Sequence, residues 1–313
     1  MKKSSMIGGI LIAIGVLAIV ISFAMAGCKF KNYISEGKNS FVHTSEEYVE
    51  KEYTAKADID KLVLDGSSDA VKIVTGDVDK VEVVYYESET QKYDISEENG
   101  KLIITRKENQ GVQIGFWFDV DFKDHTMTVT LPESFEGEIK ADYSSGAVSV
   151  KNVNTEKLTV KCTSGAINVE DVNVKNDAFI KASSGAANVN GVTAKNFDCE
   201  VTSGAVHIEN IECDDFNSKC NSGLLSLSDV NAKNVEFSST SGEIILSRID
   251  AEKSIKGKCT SGDIRGTIVG KEDDFSIIAD TTSGSCNLSN SRSGDKTLDL
   301  EATSGDISIR FEK

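Results

Sequence analysis

Proline and tryptophan occur once each in this chain of 313 residues, as Pro132 and Trp117, and histidine only three times. Scarce proline argues against collagen-like or polyproline segments. A single tryptophan and 7% aromatic content argue against a thick core built on large rings. No HExxH, CxxC, GxSxG or P-loop pattern is present, which leaves the short signatures of zinc proteases, dithiol sites, serine hydrolases and nucleotide-binding loops unmatched. Basic side chains are also short: 34 Lys plus Arg face 50 Asp plus Glu, giving a formal charge of −16. Nucleic acid and other polyanions are therefore poor partners, because they need clustered cations to displace counterions. Disorder is excluded from the other side, since 39% of the residues are hydrophobic.

Against these absences stand two strong positive patterns. The first is an apolar run from Met6 through Ala26, preceded by Lys2 and Lys3. As a helix its 21 residues would measure ~31 Å, enough to cross a bilayer and longer than the ~7–15 residues of a signal-peptide core. The run reads as an uncleaved transmembrane anchor. A rival reading centres on Met25-Ala26-Gly27-Cys28, which is similar to a lipoprotein cleavage box with Cys28 as the lipidated residue and Met at its first position. Either outcome tethers the rest of the chain to a membrane, and one helix before an acidic repetitive domain places that domain outside the cytoplasm. Residues 1–28 are thus the anchor or lipoprotein signal, and 29–56, polar and without sustained period, a stalk.

The second pattern is a repeat. Ser-Gly recurs at Gly146, Gly165, Gly185, Gly204, Gly223, Gly242, Gly262, Gly284 and Gly305, at intervals of 19 to 22 residues. Around each glycine the apolar residues alternate, as in Leu158, Val160 and Cys162 before Gly165 and Ile167 and Val169 after it. Period two marks half-buried strands, and a short fixed repeat marks a solenoid. The expected fold is all-β: a parallel β-solenoid of about nine regular coils in residues 139–313, stacked in chain order with Ser-Gly at one corner of each. Asn152, Asn173, Asn190, Asn210 and Asn231 suit other corners, and Phe179, off the inward parity, belongs at a bend or outside. Residues 57–138 carry turns at Asp65-Gly66 and Thr75-Gly76 and can be read as a separate sandwich or as an irregular start. The need to protect a solenoid's first edge favours the irregular, capping start. Within them Phe116, Trp117 and Phe118 close the core or form a contact surface for a membrane or partner.

Candidate sites are few. Six cysteines fall on the inward parity of the repeat. Cys162, Cys220 and Cys259 share a lateral position but lie two or three rungs apart, ~10–14 Å, beyond disulfide reach. They read as buried thiols, with Cys199 and Cys213 the one pair worth testing for a disulfide. His207 points outward without a catalytic partner. Glu243, Asp263 and Asp306 each follow a Ser-Gly, in a row that Ser285 interrupts, and read as solvated corners. The stacked hydroxyls from Thr163-Ser164 to Thr303-Ser304 form a ridge that bonds between corners or faces glycans. No catalytic residue, metal ligand or cofactor site is expected.

One amino-terminal hydrophobic helix, a stalk, the lead-in Thr130-Leu131-Pro132-Glu133 and repeated Thr-Ser-Gly corners resemble the bacterial putative-adhesin family of β-solenoid domains of unknown function, common in Gram-positive bacteria and related to LiaG-type cell-envelope proteins. The resemblance runs from the helix to Ile309. It implies a right-handed single-stranded β-helix, a retained helix, placement outside the cell membrane and a role in adhesion or envelope stress, with no catalytic residue to carry over. The expected function is a non-enzymatic, membrane-anchored adhesin-like or envelope scaffold whose partner is a membrane or envelope protein or a surface glycan. The rival is an accessory or sensor domain in envelope-stress signalling, and a glycan-active β-helix enzyme is the third reading.

Overall fold

The computed structural model describes residues 47–107 and 125–313. The expected anchor, Cys28, most of the stalk, and Phe116, Trp117 and Phe118 lie outside these residues. Among the described residues no helix is long and apolar enough to cross a membrane. What the structure shows is all-β, in one sheet of sixteen strands.

Its middle is a set of parallel ladders. Strands β8 (Glu138–Thr155), β9 (Lys157–Val174), β10 (Asp177–Thr193) and β11 (Asn196–Ser241, two coils long) each bend through a Ser-Gly, and β12 (Ile244–Ser261) runs from just past one Ser-Gly to the next. Gly146 pairs with Gly165, Gly165 with Gly185 and Gly185 with Gly204. The alternation predicted around each glycine is the inward parity: Leu158, Val160, Ile167, Val169 and Val172 are all buried. Burial of such side chains contributes about 1.5–3 kcal/mol each, repeated rung after rung. Phe197 and Phe216 stack inside the core with centroids 5.3 Å apart. Phe237 is admitted because its rung neighbour is Gly257, where any Cβ would strike the ring. Phe179 is on the outer surface, under the Lys161 ammonium at 5.8 Å.

Glycine at the Ser-Gly bend answers two constraints. At Gly204 φ is +144°, a conformation L side chains avoid, and an added Cβ would land on the carbonyl oxygen of Gly185 one coil back. The same overlap recurs down the column. A second column of positive φ lies six residues further on, at Asn152, Asp171, Gly191, Asn210, Asp229 and Arg248. Of the asparagines expected at corners, Asn152 and Asn210 take this positive φ, whereas Asn173, Asn190 and Asn231 do not. Asp and Gly take the left-handed position in their coils because they too tolerate it. Arg248 is the exception in type, and it is held by its Nε donating to Asp229 Oδ1 at 2.9 Å.

At both ends the stack departs from chain order. β2 (Lys61–Gly66) and β3 (Val71–Gly76) pair in parallel with β8, so the segment before the repeat continues the same ladders, with Ser68-Asp69 where later coils have Ser-Gly. Yet β6 (Lys101–Lys107) and β7 (Met127–Pro132), later in the chain, lie outside them. Antiparallel strands close this end: β4 (Glu82–Glu87) on β7, β5 (Lys92–Glu98) on β6 and β1 (Val49–Thr54) on β4. β1 falls within the segment read from sequence as stalk, so part of that segment is a cap strand. At the other end β13 (Ile264–Val269) pairs with β16 (Ile307–Glu312), and β15 (Lys296–Ser304) sits between β12 and β14 (Phe275–Ser283). The coil of Gly305 is inserted between those of Gly262 and Gly284. The expectation of nine coils in chain order is corrected here, because two coils with the same apolar pattern can exchange levels without changing what they bury.

Candidate functional site

Between its two columns of positive φ, each coil presents a short outward row. In register these rows give Ser149, Asn168, Asn188 and His207 in one line and Lys151, Glu170, Asn190 and Glu209 in the next. Asn168, Glu170, Asn188, Asn190, His207, Glu209, Ser226 and Ser228 line a shallow groove of about 290 Å³ crossing four rungs. Its outward side chains are polar. Asn188 donates through Nδ2 to Asn168 Oδ1 at 3.0 Å, and Asn210 to Asn190 at 2.9 Å. Glu170 is paired to Lys151 at 2.8 Å, while Glu209 makes no ion pair among the described residues. In register, Ser149 and Lys151 precede Asn168 and Glu170, and Ile245 and Ser247 follow Ser226 and Ser228. A larger groove, about 440 Å³, lies near Asp58, Asp60 and Asp79, but its other carboxylates are engaged: Glu136 with Lys175, Glu138 with Lys61 and Glu156 with Asn176.

The thiols behave as core groups. Cys162, Cys199, Cys213, Cys220, Cys259 and Cys286 are all free, so Cys199 and Cys213 form no disulfide. Burial pushes the Cys199 and Cys213 thiols up to about 12 and raises those of Cys162, Cys220 and Cys259. At neutral pH they are not nucleophiles. Cys162, Cys220 and Cys259 instead donate to the carbonyls of Gly146, Gly204 and Gly242, one coil back. Among the described residues no group of His, Cys, Asp and Glu is arranged to hold a metal ion.

The acidic row is corrected by the inserted coil. Because Gly305 lies between Gly262 and Gly284, Ser285 ends the row and does not interrupt it. Asp263 Oδ1 accepts the Asp306 N–H at 2.8 Å, and Asp306 Oδ1 accepts the Ser285 N–H at 2.7 Å. The bonds from Ser285 hold the Asp306 carboxyl below its usual range. Glu243 is paired with Arg265. These carboxylates tie corner to corner. His207 is exposed, as its parity predicted, and becomes part of the groove wall.

Sequence reading missed a polar cluster at the amino-terminal end. Asp69 is buried where the later coils have glycine; it accepts from Tyr93 Oη at 2.6 Å and pairs with Arg106 at 3.3 Å. Glu87, also buried, accepts from Lys51 Nζ at 2.6 Å and from the Tyr93 N–H at 3.0 Å. Aligning Ser68-Asp69 with the Ser-Gly corners is the signal that finds the first of these.

Residues 59–179 and 176–313 each match the family model described as Toastrack DUF4097. Solved structures similar to this chain include a putative adhesin from Bacteroides fragilis, 14% identical over 85% of this chain and 98% of its own, with a TM-score of 0.42. A putative adhesin from Parabacteroides distasonis is 11% identical over 84% of this chain and 97% of its own, at 0.42. A protein named as a putative lipid binding protein from the same species is 16% identical over 85% and 97%, at 0.37. No curated protein matches the chain.

Proposed function

This chain belongs to the Toastrack DUF4097 family, and we propose that it is a non-enzymatic, adhesin-like β-solenoid held at a membrane by its amino terminus and displayed outside the cytoplasm. The observation that carries the non-enzymatic reading is the employment of the reactive groups. Glu243, Asp263 and Asp306 are tied to neighbouring coils, and the buried thiols of the repeat have raised pKa values. Tethering and location rest on the apolar run Met6–Ala26 and on Cys28 after it. Excess acid supports an exposed, soluble face and opposes adsorption to anionic surfaces.

Protease added to intact, wall-free cells tests the location. The solenoid is expected to be lost while the amino terminus remains with the membrane; full protection of the solenoid would overturn it. Intact mass then distinguishes a retained helix from lipid on Cys28.

A further inference from the structure

The geometry points to a ligand for the groove over Asn168, Asn188, His207 and Ser226: a neutral polysaccharide lying along the stack. This rests on the extracytoplasmic reading only in supplying the compartment where such polymers are met. Three features of the groove select the class.

Its lining offers amides, hydroxyls and an imidazole, groups that can donate and accept, as sugar hydroxyls do. They repeat at the rung spacing of ~4.8 Å, so four rungs span about 14 Å and present a recurring set of partners to a recurring ligand. A polyanion is disfavoured, because Glu170 and Glu209 line the groove and no Lys or Arg does. A protein partner would need an apolar or aromatic anchor in a desolvated pocket. Among the described residues the exposed large hydrophobics are Val49 and Ile278, in the cap strand β1 and the outermost coil β14, and neither lines the groove.

Calorimetric titration of the full-length protein in nanodiscs tests this with cellotetraose and chitotetraose as neutral probes and tetragalacturonate as an acidic one of equal length. At least one neutral probe is expected to bind and tetragalacturonate not to. Asn188→Arg and Ser226→Arg, both outward-facing, should each weaken binding at least tenfold with unchanged melting temperature. Lys181→Ala, on the other strand segment, should leave it unchanged. The assignment is overturned if neither neutral probe binds, if tetragalacturonate binds as well as they do, or if both arginine variants bind like the parent. Its failure is separable from that of the proposed location, which the protease experiment reads in cells without any ligand.

Discussion

The two ends of the stack meet the same hazard, an open sheet edge, with different chemistry. At the amino-terminal end, antiparallel β4 and β5 lie against β7 and β6, with β1 on β4, and a cluster in which Lys51, Tyr93 and Arg106 partner the buried carboxylates of Asp69 and Glu87 joins cap to stack. At the carboxyl-terminal end the Asp263 and Asp306 carboxylates tie the corners, and a turn of chain closes the edge beyond them with neutral groups. Ser291 exchanges backbone hydrogen bonds with Ile277, and Asn290 Oδ1 accepts the Ala279 N–H at 2.7 Å. Asn287 holds both backbone groups of Ile309, at 2.7 and 2.9 Å. An edge can thus be closed by added strands or by amide side chains that mimic one. The first route buries charge that must stay paired, and the second does not.

The largest expected effect comes from removing residues 296–313. Leu298, Leu300, Ile307 and Ile309 are buried, and losing four such side chains costs about 6 to 12 kcal/mol, as much as many whole domains possess. Cooperative melting should be lost in calorimetry. A truncated protein that melts like the parent, with β14 amides still protected from exchange, would mean that β14 had taken the vacated level. Next is Gly204→Ala in the middle of the array, which combines positive φ with overlap on the Gly185 carbonyl. About 4 kcal/mol of destabilisation in denaturant titration is expected, and a loss below about 1 kcal/mol would show that the column can spread. Asp69→Ala then tests the charged end and Asn287→Ala the neutral one. Expected losses are about 3 kcal/mol, from leaving Arg106 beside a buried void, against about 1–2 kcal/mol for two hydrogen bonds. Equal losses would break the distinction.

Acid gives the smallest and most selective effect. Burial alone would raise the Glu87 carboxyl, but Lys51 and the Tyr93 N–H outweigh it and hold it below its ordinary 4.5. Glu97 is lowered by the Tyr53 hydroxyl and by the Lys56 and Ala57 N–H groups. A carboxyl whose folded pKa is lowered contributes stability that is full above the unfolded value and is lost as pH falls through the folded one. Below about pH 4.5, hydrogen exchange in β1, β4 and β5 should therefore accelerate before that of the Ile277, Ala279 and Ile309 amides, whose partners at the other end are neutral. Simultaneous loss at both ends would contradict the assignment.

Much of this architecture was legible because one constraint repeats. Nine Ser-Gly corners set the period, and parity around them gave the buried positions from Leu158 to Ile309. The exchange of levels at the ends was hidden for the same reason. Phe275–Ser283 and Lys296–Ser304 both place apolar residues two apart before a Ser-Gly, so either satisfies the slot beside β12, and only the register tells them apart. Gly257 looked like one glycine among 25 until Phe237 was seen opposite it. The groove was legible only in part. The parity of His207 marks it as outward, but the set of residues it shares a groove with emerges only once four coils are aligned on their glycines.

The inserted coils also bear on how the molecule is made and pulled apart. Synthesis delivers Phe275–Ser283 before Lys296–Ser304, yet the later strand lies between the earlier one and β12. The outermost coil cannot settle until Lys296–Ser304 has arrived and been threaded beneath it. Once in place, β15 can leave the stack only by shearing from a ladder on each side, β12 and β14, whereas β16 has only the β13 ladder to give up.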